Sequence, residues 1–241
     1  MYKFNKDITD EYIDADYQEN MVGSFLTNYN NHIIDLILNV DCIKDSILDF
    51  GAGSGTLAKI IRNRIQKSPV CLEIDPNFKN KLIKNDFEVI GNILSTKKQF
   101  DLIYSSNVLE HIADDKEILK TLKSKLKQNG RLVLYLPAFD ILFSEMDERV
   151  GHFRRYSKRK IIKISNQTGL KIDKMFYVDS VGFFASLAIR IFGWNSNDGI
   201  GSKKSLIIYD KFIFPLSKLI DRTGFRYLLG KNIFVSLKKS H

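Results

Sequence analysis

The stretch SILDFGAGSG, residues 46–55, decides the fold of this chain. A short apolar strand runs directly into a loop with glycine at every second position, and helically spaced apolar residues follow over 54–66. Glycines let the backbone turn tightly and approach a ligand without a Cβ in the way, and a following helix offers free N–H groups. Taken alone, the loop fits either a nucleotide-type ligand site or a purely structural strand-to-helix turn.

The rest of the chain alternates short apolar strands with helical patterns, which predicts an α/β fold with a parallel sheet and helices on both faces. Helices are predicted at 21–40, 54–66, 114–127 and 157–168, and the third is expected to stop at Asn129-Gly130. Seven strands are predicted, at Ser46–Phe50, Val70–Ile74, Phe87–Ile90, Phe100–Tyr104, Arg131–Leu136, 171–179 and Asn232–Leu237.

The 241 residues are most simply one domain with an elaboration. Residues 1–40 are expected to form an N-terminal arm and a covering helix, and residues 41–180 with 231–241 the core. Residues 181–230 read as a helical insertion between the last two strands, with apolar segments Val181–Gly193 and Leu206–Ile220 around a loop at 194–201.

An acidic residue, Glu73, ends the second strand, where a carboxylate can accept hydrogen bonds from both hydroxyls of a ribose. The third glycine of a dinucleotide fingerprint is missing, because Thr56 occupies its position. No lysine follows Gly55, as a phosphate-binding loop would require. A nicotinamide-dependent oxidoreductase is therefore a remote alternative.

Five motifs in the right order and spacing resemble the class I S-adenosylmethionine-dependent methyltransferases. They are LDFGAGSGTLAKI, CLEIDP, GNIL, FDLIYSSNVLEHI and LKQNGRLVLYLPA, and the resemblance covers residues 46–137. It implies a Rossmann-like seven-stranded sheet and S-adenosylmethionine as cofactor, with S-adenosylhomocysteine as product. It also implies these cofactor-binding residues: Asp49, Gly51, Ala52, Gly53 and Gly55 at the methionine part, Glu73 and Ile74 at the ribose, Asn92 and Ile93 at the adenine, and Asn107 and Val108 closing the pocket.

A second block, SEMDERVGHFRRYS at 144–157, resembles the GH-x-RRY-[ST] segment of a bacterial methyltransferase branch associated with surface polysaccharide and lipid modification. His152 could take the proton from a nucleophilic hydroxyl, since imidazole titrates near neutral pH. His111 is a second catalytic candidate. Arg154, Arg155 and Tyr156 are candidate substrate residues. The structural alternative is that Arg149, Arg154 and Arg155 pair with Glu145, Asp147 and Glu148 while Tyr156 packs.

The net charge of +9 hides a gradient along the chain. Residues 1–50 carry 3 basic against 10 acidic side chains, whereas residues 151–241 carry 18 against 5. With the apolar insertion, this basic end suggests an anionic membrane surface or a lipid-linked substrate. A small-molecule or sugar acceptor fits as well, and packing on the sheet or a dimer contact are alternatives for the insertion.

The remaining expectations concern nucleic acid, cysteines, metal and localisation. An RNA-modifying methyltransferase or nucleic-acid-binding protein is a weaker alternative, since no RNA-binding module is visible. Cys42 and Cys71 predict free thiols in a reducing cytosol, and no metal site is expected. We expect a cytoplasmic protein, peripheral on the inner membrane face if the membrane hypothesis holds.

Overall fold

The computed structural model describes residues 25–192 and 203–239. The expected N-terminal arm at 1–20 and the loop at 194–201 lie outside these ranges. Within them, no helix combines the length and apolar character needed to cross a bilayer.

One seven-stranded sheet forms the centre of the molecule, in the order β3-β2-β1-β4-β5-β7-β6. The strands are β1 Ile47–Phe50, β2 Val70–Leu72, β3 Val89–Ile90, β4 Phe100–Ser106, β5 Leu126–Pro137, β6 Leu170–Val178 and β7 Asn232–Lys239. The first five run parallel, and β7 is antiparallel to both β5 and β6. The predicted Rossmann-like α/β fold is confirmed, and the carboxyl ends of the parallel strands meet at one edge.

Helices cover both faces of the sheet. They are α1 Thr27–Leu38, α2 Thr56–Ile65, α3 Pro76–Lys84, α4 Asp115–Lys125, α5 Glu145–Arg149, α6 Lys158–Thr168, α7 Ser180–Phe192, α8 Lys203–Ile208 and α9 Phe214–Arg222. A π-helical segment, Tyr209–Ile213, joins α8 directly to α9. Ile33, Ile34 and Ile37 of α1 pack with Tyr104 and Tyr135 on one face of the sheet.

The helices between β6 and β7 are anchored to α1. Buried Asp210 accepts hydrogen bonds from the backbone N–H groups of Asn28 and Tyr29, both at 2.9 Å, and so satisfies two free donors at the start of α1. Phe214 is fully buried against Tyr29 and His32. This part of the chain therefore supports the core as well as extending it.

The expected helix stop at Asn129-Gly130 is wrong. The helix α4 ends at Lys125, and β5 already begins at Leu126, which pairs with Phe100 of β4. A Cβ on Gly130 would lie 2.9 Å from the carbonyl oxygen of Phe100. Gly130 is thus required by the close approach of two strands, not by a helix cap.

Candidate active site

The glycine loop after β1 has positive φ angles, which are unfavourable for residues that carry a Cβ. Gly51, Gly53 and Gly55 have φ angles of 79°, 51° and 79°. A Cβ on Gly51 would lie 2.4 Å from Cγ2 of Val108, which brings the loop against the residue that follows β4. The strand order places β1 beside β4, the point where open α/β sheets bind their ligands. The loop and Val108, both predicted cofactor residues, are therefore neighbours.

The Glu73 carboxylate lies against the glycine loop. Its Oε2 accepts the Gly53 N–H at 2.7 Å, and its Oε1 accepts the N–H groups of Ile74 at 2.6 Å and Asp75 at 2.9 Å. These three bonds fix the orientation of a buried carboxylate at the end of β2. The structure thus brings Glu73 and Gly53 together at the same edge of the sheet.

The other predicted cofactor residues fall into buried and surface groups. Asp49 is buried beside Tyr104, and burial together with this carboxylate raises the pKa of Tyr104 well above 10. Ile93 is buried in the core, whereas Asn92 is exposed and its Oδ1 accepts the Leu94 N–H at 2.9 Å. Asn92 therefore lies at the surface beside the buried Ile93, and its adenine contact stays a prediction.

Asn107 follows β4 with a φ of 52°, a left-handed conformation unusual for a residue other than glycine. Its N–H donates to the carbonyl of Tyr135 at 2.9 Å, and its side chain is exposed. Strained residues of this kind concentrate at functional sites. Asn107 and Val108 follow β4 and Glu73 follows β2, so they lie on opposite sides of β1 in the sheet order.

The segment after β5 positions His152 through Asp147. A capping box with Ser144 begins α5 and buries Asp147 in its first turn. Asp147 Oδ1 lies 2.7 Å from Nδ1 of His152, and both carboxylate oxygens accept from Arg155, at 2.8 and 3.0 Å. Burial alone would raise the pKa of Asp147, but these bonds outweigh it and lower that pKa to about 2.

Two further groups face His152 from the 3-10 turn Leu109–His111, which follows β4. The rings of His111 and His152 meet edge to face with centroids 4.5 Å apart. Burial, with His152 adding to it, lowers the pKa of His111 to about 4. Glu110 is fully buried, its Oε1 lies 3.8 Å from Nε2 of His152, and burial raises its pKa to about 8.

The candidate substrate residues each have partners within the chain. Arg154 binds Asp115 at 2.9 Å and the carbonyls of Ile112 and Ala113, while the buried Tyr156 hydroxyl donates to Asp115 at 3.0 Å. Of the alternative pairings expected for the arginines, the structure shows Arg155 with Asp147, whereas Arg154 pairs with Asp115 instead. Their substrate roles stay predictions.

Sequence reasoning missed an aromatic group that forms just after the end of β5. Phe139, with a φ of 60°, stacks on Tyr177 with ring centroids 4.5 Å apart and meets Phe183 edge to face at 5.3 Å. The three come from the end of β5, the end of β6 and α7, so no local pattern links them. Glu110 was also missed as a site residue, although it lies within the LEHI motif.

Comparison with known proteins gives one family. Residues 22–174 match the family model for a methyltransferase domain. The mitochondrial ubiquinone biosynthesis O-methyltransferase of Schizosaccharomyces pombe is 33% identical over 101 residues, covering 36% of each chain. The malonyl-[acyl-carrier protein] O-methyltransferase of Calditerrivibrio nitroreducens is 30% identical over 99 residues, covering 39% of each. The chain therefore matches well under half the length of these curated relatives.

A solved structure shares the fold over nearly the whole chain. The SAM-dependent methyltransferase of Archaeoglobus fulgidus has a TM-score of 0.60 at 16% identity, covering 95% of this chain and 100% of the other. At this identity the likeness shows the architecture alone.

Proposed function

The chain belongs to the methyltransferase-domain family, and on this premise we propose that it transfers a methyl group from S-adenosylmethionine to a hydroxyl oxygen of a small-molecule, sugar or lipid-linked acceptor. Oxygen is proposed as the acceptor atom because of the Asp147–His152 pair. An alcohol needs help in losing its proton, whereas an amine does not, and this pair supplies a positioned imidazole.

The residues at the carboxyl ends of β1, β2 and β4 suit the cofactor chemically. The glycine loop presents backbone without side chains, Glu73 presents a fixed carboxylate, and Val108 closes the loop from the other side. When bound, S-adenosylmethionine supplies a sulfonium-activated methyl group. The chain then has to align the acceptor with it and keep water away.

His152 is proposed as the general base for the acceptor. With Nδ1 held by Asp147, the ring presents Nε2 away from that carboxylate. As the methyl carbon bonds to the acceptor oxygen, the hydroxyl proton passes to Nε2, and Asp147 stabilises the resulting imidazolium. Arg155 is proposed as a positioning residue, because it binds both oxygens of Asp147.

Acceptor binding is proposed for the surface between Arg154 and the aromatic group of Phe139, Tyr177 and Phe183. Arg154 is partly exposed and could bind an anionic group of the acceptor. The aromatic rings offer apolar area for a hydrophobic portion. His111 is proposed to support His152 by ring contact.

A peripheral contact with an anionic membrane is supported by the outer face of α7 to α9. Phe212, Leu216 and Leu219 share one side of the helix, and their exposed fractions are 69%, 52% and 60%. Other exposed groups lie on the same helices: the apolar Phe184 and Ile191, and the basic Lys211 and Arg222. Exposed apolar side chains with basic residues beside them are typical of helices that lie on anionic bilayers.

Calorimetric titration of the untagged protein with S-adenosylhomocysteine tests the cofactor assignment. We expect saturable binding at one site. A metabolite extract incubated with the protein and S-adenosylmethionine is then searched by mass spectrometry for species that gain one CH₂ group. Failure to bind either form of the cofactor would contradict the proposed function.

A further inference from the structure

Glu110, His111 and His152 converge from two separate segments of the chain. Each offers one ligand atom, and the three atoms lie within 4.8 Å of one another. Glu110 and His111 belong to the turn after β4, and His152 follows α5. We propose that these three side chains form a binding site for a divalent transition-metal ion such as Zn²⁺, with a coordination position left open for the acceptor.

The state of Glu110 is the observation that points to a cation. Its side chain is fully buried, and neither carboxylate oxygen has a hydrogen-bond partner among the described residues. Arg155, the nearby arginine, already binds both oxygens of Asp147. A buried carboxylate without a partner is costly, so it requires either a proton or a cation. A divalent ion would satisfy it directly.

His152 is oriented as a metal-ligating histidine usually is. A ligating imidazole commonly gives its second nitrogen to a carboxylate or a backbone carbonyl, which fixes the ring and its tautomer. Asp147 holds Nδ1 of His152 in this way, which leaves Nε2 for an ion. The His111 ring meets the His152 ring edge to face, with centroids 4.5 Å apart.

The distances between the candidate ligand atoms fit a site that contracts slightly when an ion binds. Two ligands about 2.1 Å from a tetrahedral ion stand roughly 3.4 Å apart. Nε2 of His152 and Oε1 of Glu110 are 3.8 Å apart, too far for a hydrogen bond and close to the distance expected across an ion. Small side-chain rotations would bring the three atoms into range.

The donor set selects the class of ion. Two imidazole nitrogens and one carboxylate oxygen suit Zn²⁺, Co²⁺, Mn²⁺ or Fe²⁺, whereas Mg²⁺ and Ca²⁺ prefer oxygen donors throughout. Three protein ligands with an open position are the arrangement of catalytic rather than structural zinc sites. A hydroxyl bound at that position would release its proton to water at a lower pH.

A role for the ion in the reaction rests on the proposed O-methylation. A His152 that binds the ion cannot also be the general base, because ligation and proton acceptance use the same lone pair on Nε2. In the loaded protein the ion activates the acceptor hydroxyl and His152 holds the ion. As a binding site, the cluster is independent of methyl transfer.

The test is a titration of untagged, chelator-treated protein with Zn²⁺ by calorimetry and with Co²⁺ by visible absorption. We expect one equivalent to bind and the Co²⁺ spectrum to be that of a low-symmetry site with nitrogen ligands. Glu110→Gln keeps the shape and removes the charge, and we expect at least a tenfold loss of affinity. His152→Gln should lose affinity similarly, and Asp147→Asn by about 10- to 100-fold.

Glu117→Gln is the matched control, since Glu117 is an exposed acid on α4 and should leave ion affinity unchanged. Binding of S-adenosylhomocysteine by each variant shows that it is folded. Absence of stoichiometric binding to the wild-type chain, or equal binding by Glu110→Gln, would overturn the metal site. Methyl transfer without ion binding would contradict the metal site and leave the proposed function standing. Ion binding without cofactor binding would contradict the proposed function and leave the metal site standing.

Discussion

Oδ1 of Asp147 lies 2.7 Å from Nδ1 of His152, and the same carboxylate binds Arg155 through both oxygens. This contact joins the first turn of α5 to the segment that follows it. It determines which nitrogen of His152 is available for chemistry. The proposed roles of His152, as base or as metal ligand, both depend on it.

Replacing His152 by alanine should lower the turnover number by about 10²- to 10⁴-fold, the usual contribution of a positioned acid or base. Affinity for S-adenosylhomocysteine should stay within about twofold, because His152 lies on the acceptor side. Steady-state kinetics with calorimetry separate the two effects. Full turnover in His152→Ala with normal cofactor binding would exclude His152 from the reaction.

Replacing Gly51 by alanine should abolish measurable cofactor binding and lower stability. The φ of 79° costs an L-residue about 1–2 kcal/mol, and the new Cβ would lie 2.4 Å from Val108 Cγ2. Gly224→Ala is the control for the backbone cost alone, since Gly224 has a φ of 109° and open space around it. Chemical denaturation and calorimetry measure the two quantities.

The Val108→Ala change provides a second control on Gly51. If the clash with Val108 is what matters, the double variant Gly51→Ala, Val108→Ala should recover part of the lost stability. Equal stability of the single and double variants would assign the whole loss to backbone strain.

Replacing Glu73 by glutamine should reduce both cofactor affinity and stability. The carboxylate accepts three backbone N–H groups, and an amide would turn an NH₂ group toward some of these donors. An unsatisfied buried donor costs about 1–3 kcal/mol. Urea unfolding monitors stability, and a cofactor titration monitors affinity. An unchanged unfolding midpoint would show that these bonds contribute nothing in solution.

The double change Phe212→Glu, Leu219→Glu should abolish flotation with anionic vesicles. Both side chains are well exposed, so the free energy of unfolding should change by no more than about 0.5 kcal/mol. Ile83→Glu is the matched control, because Ile83 is exposed on α3, away from the insertion. Vesicle binding should also weaken as salt rises. Equal flotation of both variants would refute the membrane contact.

His32 should make the protein less stable in acid. Burial lowers its folded pKa to about 4 from 6.5, and the neighbouring cations Lys218, Arg222 and Arg226 add to this against Asp35. The unfolded chain therefore takes up the proton first, and stability falls as pH drops from about 6.5 to about 4. The limiting slope is about 1.4 kcal/mol per pH unit.

Urea unfolding at pH 7 and pH 5 compares the wild-type chain with His32→Gln. We expect the variant to lose less stability between the two values than the wild type does. The same loss in both proteins would mean that His32 is protonated equally in the folded and unfolded chains.

Periodicity was enough to predict the seven strands of the core and most of its helices, but it missed α3, Pro76–Lys84. The spacing of apolar residues shows which side of a strand or helix is buried. The seven strands and the helix α1 could therefore be located from the local pattern. Element ends were less accurate. Asn129-Gly130 looked like a helix stop, because a sequence does not show that Gly130 lies against a carbonyl of β4.

The proposed cofactor residues could be named from the sequence because the resemblance of five motifs to known methyltransferases implies them. Carboxyl ends of neighbouring parallel strands meet at one edge, so Gly53, Glu73 and Val108 could be assigned to one crevice. The structure shows contacts from Gly53 to Glu73 and from Gly51 to Val108, and the cofactor role of these residues stays a prediction.

By itself, the sequence determined the α/β sheet, the glycine loop and the family resemblance, since these depend on residues close together in the chain. Only the tertiary structure decided that Glu110 meets His152, that Arg155 shares Asp147, and that Asp210 caps α1. The physical reason is that local patterns encode which side of an element is buried. They do not encode which polar side chains two packed elements place within bonding distance.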